Sequence, residues 1–266
     1  LIQNKTVVAL GFMNKESIND VLAIENMLWV GSNNGLGLYD LNSNSGHYKR
    51  SIGATVLSRI NNLQFDREGS LWIGTGRDGL VQLRQTGINN YTRYDGLSSN
   101  KINIIKNNHS KNGLFIGCDD GNLFHFKNDQ IDQVSLSYQN SNTGIRDIIE
   151  EVDGTLWVAT YRGLIRKRGD TEFLYDLTSG LKSLDIRVLH KDTQGNIWLG
   201  SRSGGLAKIT NDKVLKTYDE NSGLNSNFIL SIDEDPSGSL FIGTHSGGLS
   251  EINTEGEIIN HSITEN

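Results

Sequence analysis

Short runs of four to six residues, rich in Leu, Ile, Val and aromatics, recur along the whole chain between clusters of Gly, Asp, Asn and Ser. None keeps the 3.6-residue apolar period of an amphipathic helix, so the pattern predicts strands joined by tight turns. One phrase anchors it. It reads Leu28-Trp29-Val30-Gly31-Ser32, Leu71-Trp72-Ile73-Gly74-Thr75, Leu114-Phe115-Ile116-Gly117-Cys118, Leu156-Trp157-Val158-Ala159-Thr160, Ile197-Trp198-Leu199-Gly200-Ser201 and Leu240-Phe241-Ile242-Gly243-Thr244. The aromatic falls at spacings of 43, 43, 42, 41 and 43 residues, and all four tryptophans occupy this one phase.

Each unit holds four β-like runs. The first precedes the phrase, as in Ile60 to Phe65, Ile145 to Glu150, Ile186 to His190 and Phe228 to Ile232. A turn follows, such as Asp66-Arg67-Glu68-Gly69, Asp153-Gly154, Asp192-Thr193-Gln194-Gly195 or Asp235-Pro236-Ser237-Gly238. The phrase is the second strand, apolar on both faces, as a strand buried between neighbouring sheets requires. A Gly turn leads to a third, such as Leu80 to Leu83 or Leu206 to Ile209, and the fourth is Tyr91 to Tyr94, Ile131 to Leu136, Phe173 to Tyr175, Val214 to Tyr218 or Ile258 to Ile263. Four strands in about 42 residues is the arithmetic of a propeller blade. The expected fold is an all-β β-propeller of four-stranded antiparallel blades over residues 1–266, with repeats at 18–58, 59–100, 101–143, 144–184, 185–226 and 227–263.

Composition narrows the partners. A net charge of −6 argues against nucleic acid, which needs a concentrated basic surface. A single cysteine, Cys118, excludes an internal disulfide and a thiolate metal cage. No apolar run approaches a membrane span, so this segment is expected to make no membrane contact. The chain begins at Leu1 without an initiator Met or a signal-peptide pattern, and is expected to be a piece of a longer protein.

These residues resemble the two-component regulator propeller repeat, whose pattern runs roughly I-x-x-I-x-x-D-x-x-G-x-L-W-I-G-T-x-x-G-G-L, then F-x-x-Y and G-L-S-S-N. Asp192 through Leu206, Asp235 through Leu249, Tyr94 through Asn100 and Asn221 through Asn227 carry the likeness. Units one and three lack the Asp-x-x-Gly turn, and unit three has Asp119-Asp120-Gly121-Asn122 at its Gly turn. The resemblance implies the extracytoplasmic, periplasmic sensor region of a membrane-bound hybrid histidine kinase of the Bacteroidetes type, sensing glycan-derived oligosaccharides. Intact members carry more repeats, usually as two propellers, then an immunoglobulin-like domain, a membrane span and a kinase. A second propeller or a homodimer partner is therefore implied.

The ring has two readings. A run at Thr6 to Leu10 precedes the first unit, and the sixth already owns a fourth strand. Either six blades close with one end strand spare, or this is most of a seven-bladed ring; the family's habit favours the second.

Ligands of a propeller meet the loops after the second strand and the starts of the inner strands. The loops contribute Asn33-Asn34, Gly76-Arg77-Asp78, Asp119-Asp120, Tyr161-Arg162, Arg202-Ser203 and His245-Ser246; the strand starts add Asn19, Asn61, Asn103, Arg146 and Arg187. These differ from unit to unit, which favours one composite site over a sugar site per blade. The candidate ligand-binding residues are Arg77, Asp78, Asp120, Arg146, Tyr161, Arg162, Arg187, Arg202 and His245. Guanidiniums suit carboxylate or sulfate groups and Tyr161 suits a sugar ring, so an acidic or sulfated oligosaccharide is the expected ligand. The competing reading has these arginines pairing with Asp78, Asp120 and Asp147 in a solvated channel.

No catalytic residue, metal site or cofactor is expected. The histidines (His47, His109, His125, His190, His245, His261) lack ligand spacing, and Asp119 and Asp120, adjacent on a strand, point to opposite sides. Gly74 to Gly79 has G-x-G-x-x-G spacing but lies between strands, with no helix to follow. The leading reading is a non-enzymatic ligand-binding sensor propeller. A propeller lyase or glycosidase, or a protein-interaction scaffold, are the alternatives.

Overall fold

In the computed structural model the described residues are 2–3, 6–7, 17–41, 45–49, 51–52, 55–56, 58–84, 87–108, 113–138 and 143–261. The chain divides into two compact units, Leu1–Ser135 and Leu136–Asn266. Each holds three four-stranded antiparallel sheets whose strands pair strictly in chain order, the blade of a β-propeller. The all-β class with four-stranded antiparallel propeller blades expected from the sequence is what the structure shows, three blades in each unit.

In the first unit, blade one comprises Ile18–Ile24, Met27–Ser32, Gly35–Asp40 and Ser45–Lys49. Blade two comprises Ile60–Phe65, Leu71–Thr75, Leu80–Arg84 and Gly87–Tyr91, and blade three Ile102–Asn108, Gly113–Cys118, Leu123–Lys127 and Gln130–Val134. Thr6–Val7 pairs with Ile2–Gln3 in a small separate sheet, and residues 8–10 of the run expected as a surplus strand lie outside the described residues. The second unit repeats the plan. Blade four is Ile145–Glu150, Leu156–Thr160, Gly163–Arg168 and Thr171–Tyr175; blade five is Ile186–Lys191, Ile197–Ser201, Leu206–Thr210 and Lys213–Tyr218. Blade six is Ile229–Glu234, Leu240–Thr244, Leu249–Ile252 and Ile258–His261.

Neighbouring blades within a unit are fastened the same way. The Ile that opens a first strand seats on the glycine at the fourth place of the previous blade's apolar phrase. A Cβ built on Gly31 would lie 2.5 Å from Ile60 Cγ2, one on Gly74 3.0 Å from Ile102 Cγ2, and one on Gly200 2.5 Å from Ile229 Cγ2. The small residue is thus a packing requirement. Beside the seat, Asp20 accepts the Leu63 N–H at 2.7 Å, Asn62 the Ile105 N–H at 2.7 Å, and Asp147 the Leu189 N–H at 2.8 Å. Ile18 and Val21, which open the first blade, are 52% and 51% exposed, whereas their counterparts Ile60 and Leu63 are 0% and 3% exposed behind blade one.

The tryptophan and the Asp-x-x-Gly turn form one device. The turn closes by N–H to C=O bonds such as Gly195 to Asp192 (2.9 Å), and its carboxylate accepts the indole N–H: Trp72 to Asp66 at 2.7 Å, Trp157 to Glu151 at 3.0 Å, Trp198 to Asp192 at 2.8 Å. In blade four the acceptor is Glu151, three residues before Gly154, rather than Asp153 of the expected turn. Buried among the strands, each indole brings apolar area and a satisfied N–H together.

The Tyr94 to Asn100 stretch differs from expectation. The fourth strand of blade two ends at Tyr91, and Arg93–Asp95 forms a 3-10 turn in which Thr92 caps the first turn and Gly96 ends it at φ 111°. Leu177–Ser179 and Glu220–Ser222 repeat the turn, capped by Asp176 and Asp219. The following Leu97, Leu181 and Leu224 are buried, so the G-L-S-S-N element plugs the joint between consecutive blades. Among the described residues no helix is long and apolar enough to cross a membrane.

Candidate functional site

Every first strand skips one residue in its pairing with the second. The skipped residues are Asn19, Asn61, Asn103, Arg146, Arg187 and Leu230. A bulge releases its extra residue from the ladder and re-aims the side chain. Five of these six are the strand-start residues singled out in the sequence, and the bulge is the physical reason they stand apart from the core.

In the first unit the bulged residues are asparagines that knit the structure. Asn19 Nδ2 donates to Asn33 Oδ1 at 3.0 Å and to the Ile60 carbonyl at 2.8 Å. Asn61 Nδ2 donates to the Ile102 carbonyl at 2.7 Å, and Asn103 Nδ2 to Asp119 Oδ1 at 3.2 Å. Of the candidates here, Arg77 is exposed, Asp78 accepts the Ser58 N–H at 3.0 Å, and Asp120 accepts the Asn122 N–H at 3.1 Å. Asp78 thus ties its loop to the segment that precedes the first strand of blade two, and Asp120 shapes its own loop. Cys118 is buried and its thiol is pushed up to about 12, by burial first and then by the Asp120 charge, so it is no nucleophile.

The second unit replaces asparagine by arginine at two bulges and brings most of its candidates together. Arg146 Nη1 donates to Tyr161 Oη at 3.1 Å, and its guanidinium lies 5.3 Å from the Tyr161 ring centre. On the same ring sits Arg187, at 5.6 Å. Arg187 also lies 5.5 Å from the ring of Phe228, against which Arg202 rests at 5.8 Å. His245 stacks on Phe228 with centroids 4.8 Å apart and planes 5° from parallel. The result is a ladder across blades four to six in which guanidiniums and aromatic rings alternate: Arg146, Tyr161, Arg187, Phe228, Arg202. Cations on ring faces in a partly desolvated setting are each worth about 0.5–2 kcal/mol.

One carboxylate serves this ladder. Arg187 Nη2 donates to Asp185 Oδ2 at 2.8 Å, with Nε 2.7 Å from Oδ1, while Arg202 Nη1 stands 3.9 Å from Oδ2. Arg187 is therefore neutralised and locked, with its side chain 15% exposed, and Arg202 reaches solvent with 62% exposed. The Nε of Arg146 is buried without a hydrogen-bond partner. Asp147, expected as an arginine partner in the competing reading, accepts the Ile148 and Leu189 N–H groups, both at 2.8 Å. Arg162 occupies the same turn as Tyr161, but its side chain is exposed and takes no part in the stacking described; its main-chain N–H donates to Thr160 Oγ1 at 3.0 Å.

Sequence reasoning missed Phe228 and Asp185. Both precede the first-strand Ile of their blade, and their carbonyls accept the N–H of the loop residue: Arg202 to Asp185 at 2.9 Å and His245 to Phe228 at 2.9 Å. The signal lay in the repeat alignment, where this position varies from Ser17 to Arg59, Lys101, Asp185 and Phe228. Among the described residues no group of three His, Cys, Asp or Glu side chains is placed to hold a metal ion. His109 lies outside them.

Comparison with known proteins bears out the resemblance. The profile of the family described as two component regulator propeller matches residues 180–203, which run from the blade-five joint through its tryptophan phrase. Residues 180–203 thus match one two-component regulator propeller repeat. No curated protein matches it. Among solved structures it is similar to the extracellular domain of BT3049, described as a hybrid two component system of B. thetaiotaomicron, at 23% identity and a TM-score of 0.44, covering 91% of this chain and 39% of that one. It spans about two fifths of that domain's length. A streptogramin B lyase shares 14% identity at a TM-score of 0.77, covering 97% and 87%. PorZ, a surface component of the type-IX secretion system of Porphyromonas gingivalis, shares 16% at a TM-score of 0.68, covering 91% and 39%. The last two likenesses speak for the propeller fold alone.

Proposed function

We propose that this chain is the ligand-sensing propeller of a two-component signalling protein, held on the extracytoplasmic side of a membrane, and that it recognises an acidic or sulfated oligosaccharide derived from a glycan. The arginine–aromatic ladder of the second unit carries the reading. Arg187 and Arg202 face the single carboxylate of Asp185 while Arg146 donates to Tyr161 Oη, which leaves positive charge in excess on a surface that also offers the edges of Tyr161, Phe228 and His245. A carboxylate or sulfate takes paired N–H donors from Arg202 in charge-assisted bonds, while a pyranose ring lies against aromatic carbon. Asp185, tied to Arg187 by two contacts, holds that guanidinium between its rings and is poorly suited to a general-acid or nucleophilic role, which favours binding over glycosidic cleavage. In the intact receptor, occupancy would bias packing against a second propeller or a homodimer partner.

Calorimetry against matched neutral, uronate-containing and sulfated oligosaccharides tests the proposal. An acidic member should bind, Arg202→Ala should weaken it at least about tenfold, as loss of a charge-assisted bond predicts, and Arg162→Ala should change it less than twofold. Equal affinity for neutral and acidic members, or an unaltered Arg202→Ala variant, would overturn it.

A further inference from the structure

The ladder takes its charge pattern from one side chain that the fold does not require. The residue before the first-strand Ile has a fixed duty: its carbonyl accepts the main-chain N–H of the loop residue after the apolar phrase. Ser17, Arg59, Lys101, Asp185 and Phe228 all perform it, accepting from Asn33, Gly76, Asp119, Arg202 and His245 at 2.7–3.2 Å. Five unlike side chains share one backbone duty, so the identity of the side chain is left to the site. At position 185 it is a carboxylate, and it turns to the guanidiniums.

Its two contacts are unequal. Arg187 Nη2 donates to Asp185 Oδ2 at 2.8 Å, and Nε lies 2.7 Å from Oδ1. Arg202 Nη1 stands 3.9 Å from the same Oδ2, beyond hydrogen-bond range. Asp185 thus occupies Arg187 as a ligand's carboxylate or sulfate would, two oxygens against two nitrogens, and leaves the exposed donors of Arg202 open. An anionic group on Arg202 finds a free guanidinium. A second one beside it must displace Asp185 to reach Arg187. A built-in repulsive element of this kind discriminates between ligands as attraction does. Resting on the ligand reading above, we propose that Asp185 is the specificity-determining residue of the ladder: it restricts the Arg187–Arg202 end to sugars that present one anionic group with an uncharged substituent next to it.

The test is calorimetry of the whole chain with three disaccharides matched in ring and linkage, carrying no sulfate, one sulfate, or two sulfates on adjacent positions. On the wild type the first sulfate should confer binding and the second should change affinity by less than about threefold. Asp185→Asn frees Arg187, so there the second sulfate should gain about tenfold or more, the worth of a charge-assisted bond. A purely structural role for Asp185 would weaken both sulfated ligands alike and leave their ratio unchanged. Asp185→Asn/Arg187→Gln removes both charges, and so remains a test should the unpaired Arg187 unfold the single variant. It should hold the one-sulfate ligand within about threefold of wild type and lose the gain from the second sulfate. A second sulfate that gains about tenfold on the wild type, a folded Asp185→Asn with the wild-type ratio, or a double variant that fails to hold the one-sulfate ligand overturns the role of Asp185 alone. A wild type that prefers neither sulfated disaccharide to the neutral one overturns the ligand reading, and this inference with it.

Discussion

At the scale of single residues, a side chain's neighbours decide what it can do, and Asp192 shows this most fully. Burial works to raise its carboxyl, yet hydrogen bonds from Asn196 and the Trp198 indole outweigh it and hold the group below its ordinary value. A carboxyl depressed in the folded state adds stability above its unfolded pKa and loses it as pH falls through the folded value. Asp192→Asn places an amide N–H₂ against an N–H donor, which should cost about 1–3 kcal/mol at pH 7. The gap from wild type should narrow as pH drops below about 4, where the carboxylate's advantage fades. Urea unfolding at pH 7 and 3.5, read by tryptophan fluorescence, checks both statements; a gap that widens in acid would refute them. Residue roles of this kind were half legible in the sequence. The tryptophan phase announces core packing, but that the turn carboxylate accepts its indole N–H follows only once the register sets the two six residues apart and face to face.

At the scale of elements, the recurring contact is an Ile seated on a glycine. Gly200→Ala would bring a methyl to 2.5 Å from Ile229 Cγ2 and 2.7 Å from Val188 Cγ1, and overpacking of this kind costs about 1–3 kcal/mol. Blade four carries Ala159 in this position, where its cross-strand partner is the unbranched Asp147 instead of a valine. Ile229→Ala removes the clashing methyl, so the double variant should be less destabilised than the sum of the singles; additivity within about 0.5 kcal/mol in thermal melts would show that the seat is not the cause. The strands themselves were readable because alternation and turn chemistry repeat six times. Two features were not. The Tyr91 to Tyr94 run reads as strand from its aromatics, yet Thr92 and Gly96 cap a 3-10 turn there. The bulges at Arg146 and Arg187 decide where the guanidiniums go, but a bulge is a property of the pair of strands and leaves no mark in one strand's sequence. Phe228, an aromatic at the head of an apolar strand, reads as core for the same reason.

For the molecule as a whole, charge is distributed against its proposed task. The chain carries −6 overall, so a polyanion approaching at random is repelled, and an anionic ligand depends on the local excess at Arg146, Arg187 and Arg202. Each guanidinium stands 5.3–5.8 Å from the ring beside it. The rings hold these charges in fixed places, and an anion docked on them meets the guanidinium beside it within the screening length of about 8 Å at physiological salt, while the diffuse negative charge farther away is largely screened. Two consequences separate this arrangement from a generic basic patch. Long duplex DNA should not bind at 150 mM NaCl. A short acidic oligosaccharide should bind, and raising NaCl from 50 to 500 mM should weaken it by roughly tenfold, the displacement expected when one to two counterions are released. In Arg202→Ala that salt dependence should shrink together with the affinity, because the exposed guanidinium carries most of the charge the ligand meets. Calorimetry at the two salt concentrations measures both quantities in one series. An affinity indifferent to salt would mean that the ladder reads ring shape through Tyr161 and Phe228 and that its guanidiniums serve only to hold those rings in place.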